Sequence, residues 1–234
     1  MPLSRSLAAF GILAITVASL SAAAPPRALA WDDTVAERKL EFVSGESSVP
    51  ITDMHPSKRT GPLRVKGKGP FFIRATDKGP GPDGKPIQRA CPIPETVTRP
   101  LILLIPDESH ATGLRTLVVD DNPAGFSWGT YRFINATPKE LVVQLEQKAV
   151  SVPTGWKPVD LNLGGETRGI GARVALAEQI EKTIYSAVWE YNQEVRTLCF
   201  LVPGTDPRLS PVAFKSIPED KLLLQLQSEE SKPD

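Results

Sequence analysis

The stretch "VVDDNPAGFSWGTYRFINAT", residues Val118–Thr137, decides the fold class that the sequence predicts. It begins with an apolar run, continues through a segment rich in Asp, Asn, Pro and Gly, and ends with alternating large and small residues. Each of those four residue types has a backbone preference for turns. The stretch therefore predicts two strands joined by a loop, with Asp120-Asp121-Asn122 in the loop. A metal-assisted loop is the alternative, although the ligand number and spacing of a calcium loop are missing.

Further strands are predicted on both sides of this stretch. Beyond Pro100, short runs rich in aliphatic or β-branched residues are separated by Gly, Pro, Asn or Asp, a spacing typical of a sandwich or barrel. The runs are Leu101–Ile105, Thr116–Val119, Tyr131–Ile134, Leu141–Leu145, Val159–Leu163 and Val195–Val202. The last is apolar on both faces, which predicts a central, buried strand. The sequence thus predicts an all-β fold, an antiparallel, immunoglobulin-like β-sandwich over residues 98–220.

One segment, "ARVALAEQIEKTIYSAVWEYNQ", fits two structures. Apolar residues at four-residue spacing and many helix formers would allow an amphipathic helix. Alternating residues near its end, from Tyr185 to Tyr191, favour strands instead. We therefore predict two strands, Arg173–Ala177 and Thr183–Tyr191.

Proline shapes the region before the predicted sandwich. The chain has 23 prolines in 234 residues, about twice the usual ~5%, and they are dense from Pro50 to Pro106. Each removes a backbone donor and disfavours helix at the preceding residue. Residues 31–97 are therefore predicted to form an irregular Pro/Gly-rich arm with short strands at Leu63–Val65 and Phe71–Ala75. Residues 221–234 are predicted to be a polar tail.

The N-terminus has the pattern of a signal peptide over residues 1–30. Arg5 precedes an apolar run, Leu7–Leu20, and small residues follow. Ala28-Leu29-Ala30 fits a cleavage motif that would leave Trp31 first; the competing site, Ala22-Ala23-Ala24, would leave Pro25 after the cut. We predict cleavage after Ala30 and export to the periplasm or beyond. No later run approaches the ~18 apolar residues of a spanning helix, so no integral membrane association is predicted.

Charge and cysteine content narrow the function classes. The chain has 27 basic and 27 acidic residues. This balance gives no excess of positive charge that would indicate binding to nucleic acid or to an anionic membrane surface. Cys91 and Cys199 are the two cysteines, and a disulfide between them is expected in an oxidising compartment. Two buried free thiols are the alternative.

Candidate functional side chains are few. Phe126, Trp128 and Trp189 could stack on a ligand such as a sugar, although packing within the sandwich is the more ordinary role of such rings. Asp107, Glu108 and His110 follow a predicted strand, where sites often lie, and could serve a hydrolase or a metal-dependent enzyme. A solvated acidic loop is the simpler interpretation. We find no motif for a cofactor or a resident metal.

Several motifs resemble a group of small exported bacterial β-sandwich proteins of unknown function. The similarity covers about half of the chain and supports the fold more than an activity. The motifs are Leu103-Leu104-Ile105-Pro106, Val118-Val119-Asp120-Asp121, Gly129–Asn135, Val188-Trp189 and Arg196–Pro203. Together with the signal pattern, the sequence predicts a non-enzymatic binding or structural module of the bacterial envelope, whose partner is a protein or an envelope component. A carbohydrate-binding module and, less favoured, a hydrolase or metal-dependent enzyme are the alternatives.

Overall fold

Nearly all regular secondary structure in the described residues is β-strand, which confirms the all-β class. The structure is a computed structural model that describes residues 23–206 and 210–230. The strands within these ranges are β1 (Arg27–Ala30), β2 (Leu40–Ser44), β3 (Ser47–Pro50), β4 (Phe71–Ala75), β5 (Gln88–Ala90), β6 (Pro100–Pro106), β7 (Leu114–Asp120), β8 (Thr130–Asn135), β9 (Leu141–Leu145), β10 (Lys148–Val152), β11 (Pro158–Asn162), β12 (Arg168–Leu176), β13 (Gln179–Tyr191), β14 (Val195–Pro203) and β15 (Val212–Asp220). The helices are α1 (Asp33–Ala36) and α2 (Lys221–Glu230).

The strands form four sheets, which we number I to IV. Sheet I has the order β3-β2-β4-β5, sheet II β1-β6-β7, sheet III β11-β8-β14-β15 and sheet IV β10-β9-β12-β13. Most neighbours are antiparallel, but β1 pairs with β6, and β8 with β14, in parallel. The sheets are therefore antiparallel except at these two pairs, each of which joins strands far apart in the sequence.

Three apolar cores separate the four sheets into stacked layers. Phe42 and Ile73 of sheet I meet Ile102 of sheet II in the first core. The other face of sheet II meets sheet III in a second core, and the far face of sheet III meets sheet IV in a third. Sheets II and III are therefore covered on both faces, which explains why their strands β6 and β14 are apolar without alternation.

The strands predicted beyond Pro100 are all present, with small shifts of their ends. Strand β14 lies between β8 and β15, as its two apolar faces predicted. The ambiguous segment forms the hairpin β12–β13, so the strand interpretation is confirmed and the helix is excluded. The predicted polar tail, in contrast, begins with helix α2. In residues 23–206 and 210–230, no helix combines the length and the apolar character needed to cross a membrane.

The Pro/Gly-rich region is more ordered than predicted. Strand β4 has the predicted bounds, whereas Leu63–Val65 forms no strand. Sheet I builds this region, and Leu63, although outside any strand, is only 5% exposed in the core shared with sheet II. The predicted boundary at residues 97/98 runs through that core. Residues 31–97 therefore contribute to the core that sheet I shares with β6 and β7.

Strand β1 occupies residues that were predicted to be removed with the signal peptide. Arg27–Ala30 pairs in parallel with Leu101–Leu104 of β6. Ala28, Leu29 and Ala30 are at most 1% exposed and fill the cores on both faces of sheet II. Cleavage after Ala30 would remove this strand from the fold. The predicted signal core lies in residues 1–22, outside the described residues, and cleavage after Ala24 would leave β1 intact.

The predicted disulfide between Cys91 and Cys199 is absent. Both residues are free and buried. Cys91 lies in the core between sheets I and II, and Cys199 lies in the core between sheets III and IV. Two whole sheets therefore separate the thiols, whereas a disulfide needs Cα atoms within about 7 Å. The Pro-rich region is held to the sandwich by packing.

Both thiols are expected to be unreactive in the native protein. Burial raises the pKa of Cys91 and of Cys199 to about 12, so the reactive thiolate is scarce at neutral pH. Iodoacetamide should label both residues only after denaturation, and a reductant should leave the thermal unfolding midpoint unchanged. A linked peptide pair containing both cysteines in a non-reducing digest would contradict the structure.

Candidate functional site

The three aromatic residues predicted to bind a ligand do not form one exposed platform. Phe126 is 0% exposed and lies in the core between sheets II and III. Trp128 is half-buried in the following loop. Trp189 packs on the core between sheets III and IV, with its ring centroid 4.7 Å from that of Phe214. These positions give no support to a carbohydrate platform made of the three rings.

Phe126 and Trp128 instead contact arginines. The guanidinium carbons of Arg132 and Arg196 lie 4.4 Å and 4.9 Å from the centroid of the Phe126 ring. Arg196 also lies 5.1 Å from the centroid of Trp128. Cation–π contacts of this kind are strongest where the cation is desolvated, and the Arg196 side chain is 0% exposed. The two rings therefore help to hold a buried cation.

The Asp120-Asp121-Asn122 segment is a turn, as predicted, and each polar side chain has a separate role. Asp120 accepts a hydrogen bond from the backbone N–H of Arg99, 2.9 Å away, and Asn122 accepts one from Ala124, 3.0 Å away. Asp121 is directed inward and is 2% exposed. In the part of the chain that the structure describes, no three His, Cys, Asp or Glu residues are placed to hold a metal ion.

Asp121 belongs to a buried ion cluster, which consists of Arg27, Arg59, Arg196, Asp121 and Glu219. Arg59 donates to both oxygens of Asp121, at 2.9 Å and 3.1 Å, and Arg27 bridges Asp121 and Glu219. Arg196 donates to Glu219 through Nε, 2.7 Å away, and through Nη2. None of the five side chains is more than 12% exposed. The cluster ties β1 to β14 and β15.

The cluster keeps its carboxylates ionised. Burial by itself would raise the pKa of Asp121, but the charges of Arg59, Arg196 and Arg27 outweigh it and hold the pKa below its ordinary value. The pKa of Glu219 is lowered in the same way, against the effect of burial. Three arginines face two carboxylates, so both acids stay charged in the folded chain. The arginines and the carboxylates of the cluster are paired with one another, which indicates a structural role.

In the second predicted site, Asp107, Glu108 and His110, the side chains of Asp107 and His110 hydrogen-bond to separate partners. Asp107 accepts hydrogen bonds from Arg89, at 2.9 Å, and from Ser109, at 2.5 Å. The Nδ1 atom of His110 lies 2.8 Å from the hydroxyl of Thr112. These contacts fix the loop internally.

A different site lies at one end of the core between sheets II and III, and we call it the aromatic–cationic pocket. Its volume is about 320 Å³. Two tryptophans and two cationic residues line it, together with four apolar residues. The lining residues are Trp31, Ile105, Arg115, Ala136, Trp156, Val202, Pro203 and Lys215.

The two tryptophans form the aromatic wall of the pocket. Trp31 follows β1, and its backbone N–H donates to the carbonyl of Leu104, 2.9 Å away. Its ring centroid lies 5.3 Å from that of Trp156 and 5.2 Å from that of Phe200, both inclined as aromatic pairs prefer. Trp156 has a φ of +63°, a left-handed conformation that is rare for a bulky residue. Such strain is often retained at functional positions.

Two cations complete the pocket. The guanidinium carbon of Arg115, on β7, lies 4.4 Å from the centroid of Trp156. Lys215, on β15, lies with its Nζ 5.8 Å from the centroid of Trp31 and donates to the carbonyl of Pro56. Burial lowers the pKa of Lys215, against the opposing effect of Asp32 and Asp33.

The pocket was missed from the sequence because its residues come from distant elements. Trp31 was predicted only to begin the mature chain, and Trp156 is a lone aromatic residue in the turn "PTGWKP". Arg115 and Lys215 lie in separate strands with no shared motif. A comparison of the chain with protein-family models and with curated proteins gives no match.

Proposed function

We propose that this chain is an exported, non-enzymatic binding protein of the bacterial envelope, and that its aromatic–cationic pocket holds the ligand or partner group. The single observation that carries the proposal is the pairing of Trp31 and Trp156 with the cations Lys215 and Arg115 around a pocket of about 320 Å³. Ligand sites are typically concave, mostly apolar and equipped with a few convergent polar groups. The pocket is open to solvent on one side, and it shares the mostly apolar lining with a few polar groups.

Export belongs to the same proposal. The N-terminal signal pattern supports it, and the resemblance to small exported β-sandwich proteins is in keeping with it. An immunoglobulin-like arrangement of sheets III and IV is also proposed. Its support is that two four-stranded sheets pack face to face around Tyr131, Phe133 and Leu201.

The Trp156→Ala variant tests the binding role. A pair of probes with one apolar body, 4-phenylbutanol and 4-phenylbutyrate, is titrated into the protein from residue 23 onward and followed by ligand-observed NMR. Probes of this size are expected to bind with Kd on the order of 1 mM or tighter. Loss of the Trp156 ring should weaken binding roughly tenfold or more, because tryptophans in pockets carry much of the binding energy.

Trp128→Ala is the matched control, since Trp128 is also a half-buried tryptophan beside an arginine but lies outside the pocket. This variant should bind both probes as the parent does. Urea titration of each variant verifies that it is folded under the conditions of the NMR experiment. Equal affinities in the parent and Trp156→Ala, or no binding of either probe to the parent, would refute the pocket as the binding site.

A further inference from the structure

The guanidinium of Arg115, one of the two cations that line the aromatic–cationic pocket, is not used as a hydrogen-bond donor by the described part of the chain. In residues 23–206 and 210–230, the guanidinium of Arg115 makes no hydrogen bond and no ion pair, and it lies over the Trp156 ring. By comparison, Arg27, Arg59 and Arg196 are all engaged with carboxylates. Arg115 is partly buried and yet keeps five N–H donors for an external acceptor.

The stacking of Arg115 on Trp156 also restricts how the guanidinium can move. A planar guanidinium presents its donors as a fixed fork, which matches the two oxygens of a carboxylate or phosphate. Because the indole covers one face of the fork, its edge remains available for such an acceptor. Less side-chain entropy is lost on binding when the donor is already positioned.

The remaining lining defines the rest of the ligand. Ile105, Ala136 and Val202 are apolar, and the two indole rings add a flat apolar surface. Neither indole N–H of the pocket has an acceptor within the described residues, so both can serve a bound oxygen. The ammonium of Lys215 adds a second positive charge. Asp32 and Asp33 interact with this ammonium and partly offset its charge, so the pocket favours ligands of low negative charge.

We propose that the pocket selects small monoanions with an apolar body and that Arg115 binds the anionic group. The ligand is either a free organic acid or the apolar C-terminal residue of a peptide. This inference rests on the proposed binding function and specifies its ligand. The body lies against Trp31 and Trp156, and the anionic oxygens accept from Arg115. The cavity of about 320 Å³ accommodates one such group.

The test compares 4-phenylbutyrate with 4-phenylbutanol, which differ in the charged group. The parent protein should bind the carboxylate roughly tenfold more tightly, because a charge-assisted hydrogen bond is stronger than a neutral one. The Arg115→Gln variant should bind both probes about equally. The preference of the parent should also decrease as salt is raised.

Arg173→Gln is the matched control, since Arg173 is an exposed arginine of β12 in sheet IV, away from the pocket. It should keep the full preference of the parent. Equal binding of the two probes by the parent, with binding still lost in Trp156→Ala, would overturn the inference and leave the proposed function standing. A preference that persists in Arg115→Gln would also overturn it, and no binding of either probe would overturn both proposals.

A second pair of probes separates the two sources of the anion. N-acetyl-Ala-Phe is offered with a free C-terminal carboxylate and as the amide. A roughly tenfold preference for the free carboxylate that disappears in Arg115→Gln would assign the site to peptide C-termini. Binding of 4-phenylbutyrate without binding of the dipeptide would assign it to free organic acids.

Discussion

A chain that begins at Trp31 is expected to be unfolded under conditions in which a chain that begins at Ala23 is folded. The shorter chain lacks β1, whose register with β6 runs from Arg27–Leu101 to Ala30–Leu104. The other side of β1 is also occupied, because the backbone N–H of Thr60 donates to Ala28 and the Thr60 hydroxyl accepts from it, at 2.9 Å and 2.8 Å. Removing β1 therefore leaves unpaired backbone groups on two neighbours.

The energetic loss is comparable with the whole stability of a typical domain. Burial of Leu29, which is 1% exposed, stabilises the fold by about 1.5–3 kcal/mol. Loss of Arg27 breaks two buried ion pairs, and breaking such a pair costs about 3–5 kcal/mol. The free energy of unfolding of an ordinary domain is roughly 5–15 kcal/mol. The truncated chain is therefore expected to have little or no stability.

Circular dichroism and urea titration of the two chains give the comparison. The chain from Ala23 should unfold in one cooperative transition, whereas the chain from Trp31 should show no transition or one at much lower urea. A chain that begins at Pro26 serves as the control, since it loses only the residues before β1. Matching urea midpoints for the Trp31 and Ala23 chains would show that β1 is dispensable, and would restore cleavage after Ala30.

The Asp121→Asn variant is expected to lose about 3–5 kcal/mol of unfolding free energy at neutral pH. The amide keeps the shape of the side chain but removes one of the two negative charges that face Arg27, Arg59 and Arg196. A buried charge without its partner is costly in a poorly solvated site. Urea titration at pH 7 measures the loss. Glu178→Gln is the control, because the Lys139–Glu178 pair is about 60% exposed and should contribute less than about 0.5 kcal/mol.

The difference between Asp121→Asn and the parent should shrink in acid. The folded chain holds the pKa of Asp121 and of Glu219 below their ordinary values. Their contribution is therefore fully present above the unfolded-state pKa values of about 4, and it is lost as pH falls through the folded-state values. Urea titrations from pH 7 down to pH 3 should show the two proteins converging. A constant difference across this range, or equal losses in Asp121→Asn and Glu178→Gln, would contradict the role of the cluster.

The central strands could be predicted because local pattern and burial agree there. Strands such as β9 and β14 carry apolar residues at positions that only a strand can bury on one or both faces. Strand β1 was missed because "RALA" also fits a cleavage motif, and four residues are too few for periodicity to contradict it. Short strands in residues 31–97 could be predicted, but not all those of sheet I, because proline density argues against helix without showing where short strands at sheet edges lie.

The ion cluster and the pocket could not be predicted from local pattern, for one shared reason. The residues next to Asp121 in the sequence indicate only that it lies in a turn. It is buried because it pairs with arginines that lie 62 to 94 positions earlier in the chain. Trp31 and Trp156 are separated by most of the fold and meet only because sheets II and III stack. Residues that act through contacts of this range carry no periodic or motif pattern, and a single sequence does not reveal them.

The ion pair between Arg27 and Glu219 also has a consequence for the order in which the chain can complete its fold. Its partners are 192 positions apart, so the first described strand is fixed by the last. During synthesis, β1 emerges long before β6 can pair with it, and longer still before β15 supplies the carboxylate. A fold dominated by such distant pairings forms slowly, and its apolar strands stay exposed in the meantime. The pairing of β1 with its last partner is therefore completed only after the C-terminal strand β15 has been made.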